Sequence, residues 1–163
     1  SYALYVGTLH RDRLDIDLVV QTAEQIGRRG HLVLVGPEAW DPGDAARVRA
    51  AGALVLGSRP RDDVPGYLQH ADALIVPHVV DAFTESLDPL KLYEYQVVGR
   101  PVISTPVAGF RDASRVTVAE GAAFASAVAR ALPASTSFPT DADGATADWS
   151  ARVDEFYSAL PRR

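Results

Sequence analysis

The 163-residue chain is 47% hydrophobic and 23% charged, with a formal net charge of −5, which is the composition of one ordinary globular domain. The acidic balance argues against a nucleic-acid binder, which presents a basic face, but it leaves room for a small cationic pocket. The absence of cysteine removes disulfides and thiolate nucleophiles or metal ligands, and no apolar run approaches the roughly 20 residues that span a bilayer.

With no methionine and a start at Ser1 directly before an apolar strand, the chain reads as an excised piece of a longer protein. Residues 3–6 form a short buried strand ending at Gly7. A polar turn follows over residues 8–13, then a helix whose apolar positions Ile16, Val19, Ala23 and Ile26 recur at spacings of 3, 4 and 3. Gly27 and Gly30 bracket the end of that helix. Residues 31–35 are a near-continuous apolar run, as expected of a strand buried on both faces.

The same rhythm continues: a helix over 44–51, a strand over 53–56 closed by Gly57, helical turns over 62–70, and a strand over 73–76 closed by Pro77. A helix over 89–98, a strand over 102–104, a short sixth strand over 116–118 and an Ala-rich helix over 120–132 complete the series. Such alternation predicts a doubly wound, Rossmann-like parallel sheet with helices on both faces. Residues 133–144 read as a loop rich in Pro, Ser, Thr and Asp. A last helix over 145–160 carries Trp149, Val153, Phe156 and Leu160 on one side. The domain is therefore set at residues 1–133, with residues 134–163 as an appended loop and helix.

In an open α/β sheet, ligands bind outside the carboxyl ends of the strands. The loop after the first strand, residues 7–13, offers a glycine for close backbone approach and Arg11 or Arg13 to neutralise a phosphate. It reads equally as a plain strand-to-helix turn with two solvated arginines, and it lacks the three-glycine dinucleotide fingerprint. After the fourth strand, Asp88 suits a helix N-cap and Pro89 the first helical position. The free N–H groups of Leu90 and Lys91 would then face an anion, with the Lys91 charge beside them. Glu94 lies one turn on, placed to accept from vicinal ribose hydroxyls. The competing reading makes Lys91 and Glu94 a surface helix pair. His78 is a candidate catalytic group or an ordinary satisfied loop histidine, and His10 has the same status; His31 and His70 fall at element ends. No set of residues has metal-ligand spacing.

The segments Asp88-Pro89-Leu90-Lys91-Leu92-Tyr93-Glu94-Tyr95 and Gly99-Arg100-Pro101-Val102-Ile103-Ser104-Thr105-Pro106 resemble the donor-binding region of GT-B glycosyltransferases of the group 1, family-4-like class. Tyr5-Val6-Gly7-Thr8-Leu9, Leu34-Val35-Gly36-Pro37, Gly57-Ser58-Arg59-Pro60 and Val64-Pro65-Gly66-Tyr67-Leu68 match further landmarks in order, so the likeness covers residues 2 to 132.

This resemblance implies one of two Rossmann-like domains of a bacterial, retaining enzyme that moves a sugar from a nucleoside-diphosphate donor. Glu94 corresponds to the ribose-binding glutamate. Gly7 and Thr8 correspond to the diphosphate loop, Arg11 and Arg13 more loosely to the family's paired basic residues after the first strand, and Arg59 and Pro60 to the nucleobase contact. Pro89, Leu90 and Lys91 would hold the phosphates. The family's donor-sugar glutamate, eight positions before the ribose-binding one, is replaced by Ser86 with Glu85 beside it. No cofactor or metal is implied, and the acceptor is not specified. The expected partner is a missing N-terminal domain toward which the last helix crosses; without it the fragment would be inactive. Any membrane association would run through that missing half of a cytoplasmic protein. Two other readings stand: a GT-B nucleotide-sugar epimerase half using His78, and a non-catalytic α/β nucleotide-binding module.

Overall fold

A computed structural model describes residues 1–86 and 90–133. The expected final helix, the appended segment 134–163, and the capping roles of Asp88 and Pro89 lie outside the described residues. Six strands form one parallel sheet: β1 (Tyr2–Val6), β2 (His31–Val35), β3 (Leu54–Gly57), β4 (Ala73–Val76), β5 (Val102–Ser104) and β6 (Val116–Val118). Their order is β3-β2-β1-β4-β5-β6, the doubly wound arrangement in which chain direction reverses between β1 and β4.

The helices are α1 (Ile16–Ile26), α2 (Pro42–Ala50), α3 (Val64–His70), α4 (Ala82–Glu85), α5 (Leu90–Val98) and α6 (Gly121–Ala131). Helices α1 and α2 begin at side-chain caps. The Asp15 side chain caps α1 by accepting from the Leu18 amide, and Gly27 ends it at a φ of 50°. Asp41 caps α2 in the same way, with Pro42 at the first position. The sequence pattern missed α4, which a reciprocal box builds: Asp81 accepts from the Thr84 amide while Thr84 Oγ1 accepts from the Asp81 amide.

Strand alternation sends side chains to opposite faces, and two cores result. One holds Ala3, Tyr5, Leu34, Ile75 and Ile103 against α1 and α6; the other holds Leu4, Val35, Leu74, Val76 and Val102 with Leu68 of α3 and Leu92 and Tyr95 of α5. Full burial of each large aliphatic side chain contributes roughly 1.5–3 kcal/mol. A charge at fully buried Val19, on the α1 stripe, would therefore break the α1–α6 layer. At the carboxyl edge, Gly36 passes so close to the Gly7 backbone that a Cβ on it would collide with the Gly7 carbonyl. Among the described residues no helix is long and apolar enough to cross a membrane.

Candidate functional site

The reversal between β1 and β4 opens a crevice at the carboxyl end of the sheet, and two loops define it. The loop after β1 leaves through Gly7, whose amide donates to the Val35 carbonyl at 2.8 Å. It then returns past β4: Leu14 and His78 form an isolated antiparallel bridge, and the Val79 amide donates to the Arg13 carbonyl at 2.8 Å. This pairing carries Arg13 and His78 to the switch point. Thr105, just past β5, donates through Oγ1 to the His78 carbonyl at 2.8 Å, fixing the backbone from the other side.

Helix α5 supplies the third wall. Leu92 and Tyr95 turn inward, with Tyr95 edge-to-face on Phe110 at 6.5 Å between centroids. Lys91, one position earlier, is thereby directed along the sheet edge toward Gly7, while Glu94 is exposed. The Lys91 ammonium donates to the Tyr5 hydroxyl at 3.2 Å and lies 4.4 Å from the centre of the Tyr5 ring. The same hydroxyl is 3.2 Å from His78 Nε2. A Cβ on Gly7 would overlap Lys91 Nζ and come within 2.9 Å of the Tyr5 hydroxyl. Glycine at this position thus leaves space for the ammonium directly under the loop.

The electrostatics follow from burial. Burial first, and the Arg13 charge second, push the Lys91 pKa down to about 8, with Glu94 acting the other way. His78, 9% exposed, falls to about 3 because it is desolvated and lies near Lys91 and Arg13. It is a neutral imidazole at ordinary pH. Burial raises the Tyr5 phenol, so it keeps its proton. Arg13 stacks on Phe83 at 5.8 Å. Neither Arg13 nor Lys91 makes an ion pair with a carboxylate among the described residues.

The other sequence candidates fall in different places. Thr8 borders the Lys91 cluster, its carbonyl 3.5 Å from the Tyr5 hydroxyl. Arg11 turns away to Asp44, at 3.4 Å, and Asp41, at 4.0 Å; of the two loop arginines, Arg13 is the one near Lys91. Arg59 and Pro60 are exposed beyond β3. Leu90 is exposed at the start of α5, and Pro89 is outside the described residues. The Glu85 carboxylate accepts from the Ala108 amide at 3.1 Å and pairs with Arg111 at 2.7 Å, tying α4 to the loop after β5. Ser86 Oγ donates to the Phe83 carbonyl at 2.7 Å, closing α4.

Sequence reasoning singled out neither Tyr5 nor Arg13 over Arg11. A tyrosine two residues before a strand-end glycine was the available signal. Among the described residues no three His, Asp or Glu side chains gather as a metal site. Two surface hollows, of about 450 and 480 Å³, lie away from this crevice beside α1 and the start of β5. Neither brings together the cations and loop backbone just described.

What the crevice can do chemically is hold an anion: two cations that no carboxylate of the described residues pairs lie beside a glycine loop. Residues 1–133 match the family model for glycosyl transferases group 1. A Bacillus subtilis (strain 168) protein described as the teichuronic acid biosynthesis glycosyltransferase TuaH is 31% identical over 74 residues, which is 44% of this chain and 18% of that protein. Among solved structures, Staphylococcus aureus TarM, crystallised with fondaparinux, α-GlcNAc-glycerol and UDP, superposes with a TM-score of 0.61 at 12% identity, over 80% of this chain and 27% of TarM. AviGT4, a glycosyltransferase of avilamycin A biosynthesis, gives 0.61 at 21% identity over 82% of this chain and 42% of its own. The catalytic domain of the Helicobacter pylori cholesterol-α-glucosyltransferase gives 0.58 at 10% identity, covering 77% and 81% respectively. The structural likenesses establish the fold, one Rossmann-like half of a GT-B architecture. The chain thus spans less than half of the TuaH, TarM and AviGT4 chains, and by its match over residues 1–133 it belongs to the group 1 glycosyltransferases.

Proposed function

We propose that this chain is the donor-binding half of a retaining glycosyltransferase, its crevice receiving the diphosphate of a nucleoside-diphosphate sugar. The observation that carries this reading is the meeting of Lys91, Arg13 and the Gly7 loop at the β1–β4 switch point, with two cations that form no ion pair with a carboxylate among the described residues. The diphosphate lies against Lys91, the Gly7-Thr8 backbone and the first turn of α5 near Leu90. Exposed Glu94 accepts from the ribose hydroxyls, and the backbone at Arg59 and Pro60 meets the nucleobase. Of the two arginines the sequence offered for the phosphate, Arg13 takes that role. Glu85, held by Arg111 and Ala108, shapes the sugar pocket together with Ser86.

Glycosyl transfer builds negative charge on the departing diphosphate, and cations already fixed in a dehydrated site stabilise that charge without reorganising, an effect of several kcal/mol. No cofactor or metal is assigned a role. Residues 1–133 form the nucleotide-sugar domain, and a second domain of the whole protein supplies acceptor contacts. The domain alone binds donor weakly and transfers little. The epimerase reading needs His78 as a proton carrier, but an imidazole 9% exposed, with a pKa near 3 and Nε2 against Tyr5, is a weak base at neutral pH.

The deciding experiment is calorimetric titration with UDP, GDP and ADP; UDP comes first because TarM was crystallised with it. Saturable binding of one of them, lost in Lys91→Ala and weakened in Glu94→Ala, is the expected result. Binding unchanged in Lys91→Ala would remove the reading.

A further inference from the structure

The donor-site reading leaves unexplained why three polar side chains, Tyr5, His78 and Lys91, are stacked at the top of an otherwise apolar layer. The Tyr5 ring is fully buried among aliphatic residues of the α1–α6 core, and only its hydroxyl reaches the strand end. That hydroxyl has one proton to give and lone pairs to offer. Lys91 Nζ, 3.2 Å away, can only donate. His78 Nε2, also at 3.2 Å, can accept in the tautomer that carries its proton on Nδ1. The alternative tautomer would turn the phenol proton to the Thr8 carbonyl, at 3.5 Å. With the His78 proton on Nδ1 the chain runs one way: ammonium to phenol, phenol to imidazole. The His78 ring stands edge-on to Tyr5 at 5.8 Å, and Thr105 holds its backbone.

We infer that Tyr5 is a positioning residue of the donor site, which uses this one-way chain to His78 and the face of its own ring to hold the Lys91 ammonium beneath the Gly7 loop before any ligand arrives. A lysine on a flexible four-carbon stem is otherwise a poor pre-set charge, because fixing its rotamers costs about 2 kcal/mol. A phenol locked in the core supplies both a neutral acceptor and a cation–π surface. It adds no carboxylate that would cancel the charge the diphosphate needs. Among the described residues the groups facing Lys91 are Tyr5 from β1, His78 from the loop after β4, Arg13 from the loop before α1, and Glu94 on α5.

The inference rests on the donor-site reading for its purpose, but the geometry of the lysine can be tested without a ligand. Lys91 is the single lysine of the chain. Its titration can therefore be followed by the pH dependence of its reaction with an amine reagent, peptide mapping separating it from the Ser1 amine. In the 163-residue chain the midpoint should lie near 8, well under the ordinary 10.5. In Tyr5→Phe, which keeps the ring but not the oxygen, the freed ammonium swings toward water and the midpoint rises toward 10.5. UDP, GDP or ADP, whichever binds, weakens about tenfold, equivalent to about 1.4 kcal/mol. His78→Gln, which keeps an acceptor against the phenol, should leave the midpoint low.

A midpoint in Tyr5→Phe that stays near 8 or drops further would overturn the inference, since removing an acceptor from a lysine that remains in place disfavours its charged form. If Tyr5→Phe does not fold, judged by circular dichroism, His78→Leu takes its place with the same expected rise and the same overturning result. A midpoint that rises as expected in a protein that binds none of the three nucleotides would sink the donor-site reading while upholding the anchored lysine.

Discussion

Two charged regions lie side by side at the carboxyl edge of this sheet, and they are built on opposite rules. Around α2 every cation has a carboxylate: Arg11 with Asp44 and Asp41, Arg47 with Asp17 and Asp44, Arg49 with Glu38. Asp44, 4% exposed, is the buried member of that set, and its pairs hold α2 to the loop after β1. At the switch point, a few residues away, Arg13 and Lys91 have an aromatic ring, a phenol and a neutral imidazole for neighbours instead. The first region is ion-paired and structural. The second holds charge that no carboxylate of the described residues pairs, at a cost in folding free energy. That contrast is what supports the proposal of a ligand site there.

Breaking the second region should have the largest effect on binding and the first almost none. Lys91→Ala is expected to reduce nucleoside-diphosphate affinity at least about a hundredfold, or about 2.7 kcal/mol. Arg11→Ala, two residues from Arg13 in sequence, should change it by less than about twofold by the same calorimetry. A comparable loss from both substitutions would erase the distinction.

Acid should expose the buried imidazole next. The folded pKa of His78, about 3, lies below its ordinary 6.5, so the unfolded chain takes up a proton that the native state refuses. The stability that neutral His78 contributes is complete above pH 6.5 and is lost as pH falls toward 3, by up to a few kcal/mol. Urea midpoints measured across that window should fall more steeply for the native chain than for His78→Gln. Parallel slopes would show that His78 is solvated.

A smaller effect with the same pH sign, in a higher window, belongs to Lys91. Its folded pKa of about 8 is also depressed, from 10.5, so below pH 8 the buried ammonium lowers stability, and the cost disappears as pH rises past 10.5. Lys91→Met should accordingly stabilise the fold by about 1–2 kcal/mol at pH 7, seen as a raised urea midpoint even as binding is lost. The smallest change is expected in the satisfied region. Glu38→Gln removes an exposed partner of Arg49 and Trp40, and should alter stability by less than about 1 kcal/mol.

The elements of the fold were legible because each one buries a periodic stripe or a continuous apolar run. The spacing of Ile16, Val19, Ala23 and Ile26 gave α1, and the run His31–Val35 gave β2. Helix α4 was not legible, since four residues contain too little periodicity; its signal was the Asp81–Thr84 capping box. Lys91 and Glu94 were singled out from their spacing and from a resemblance in motif. Arg13 was not preferred to Arg11, because two arginines separated by one residue look alike until partners are assigned.

The sequence by itself determined the alternation of strands and helices, the burial of the parallel sheet and the family to which the chain belongs, since all three are written in local pattern and short motifs. Tertiary structure alone decided which charges are paired among the described residues. The strand order placed β1 beside β4, 70 residues apart in sequence at Ala3 and Ala73, and the Leu14–His78 bridge carried Arg13 and His78 to one crevice. Tyr5 and Lys91 meet across 86 positions. Whether a cation is neutralised, buried or poised for a ligand depends on neighbours within a few ångströms, and no one-dimensional pattern specifies those neighbours.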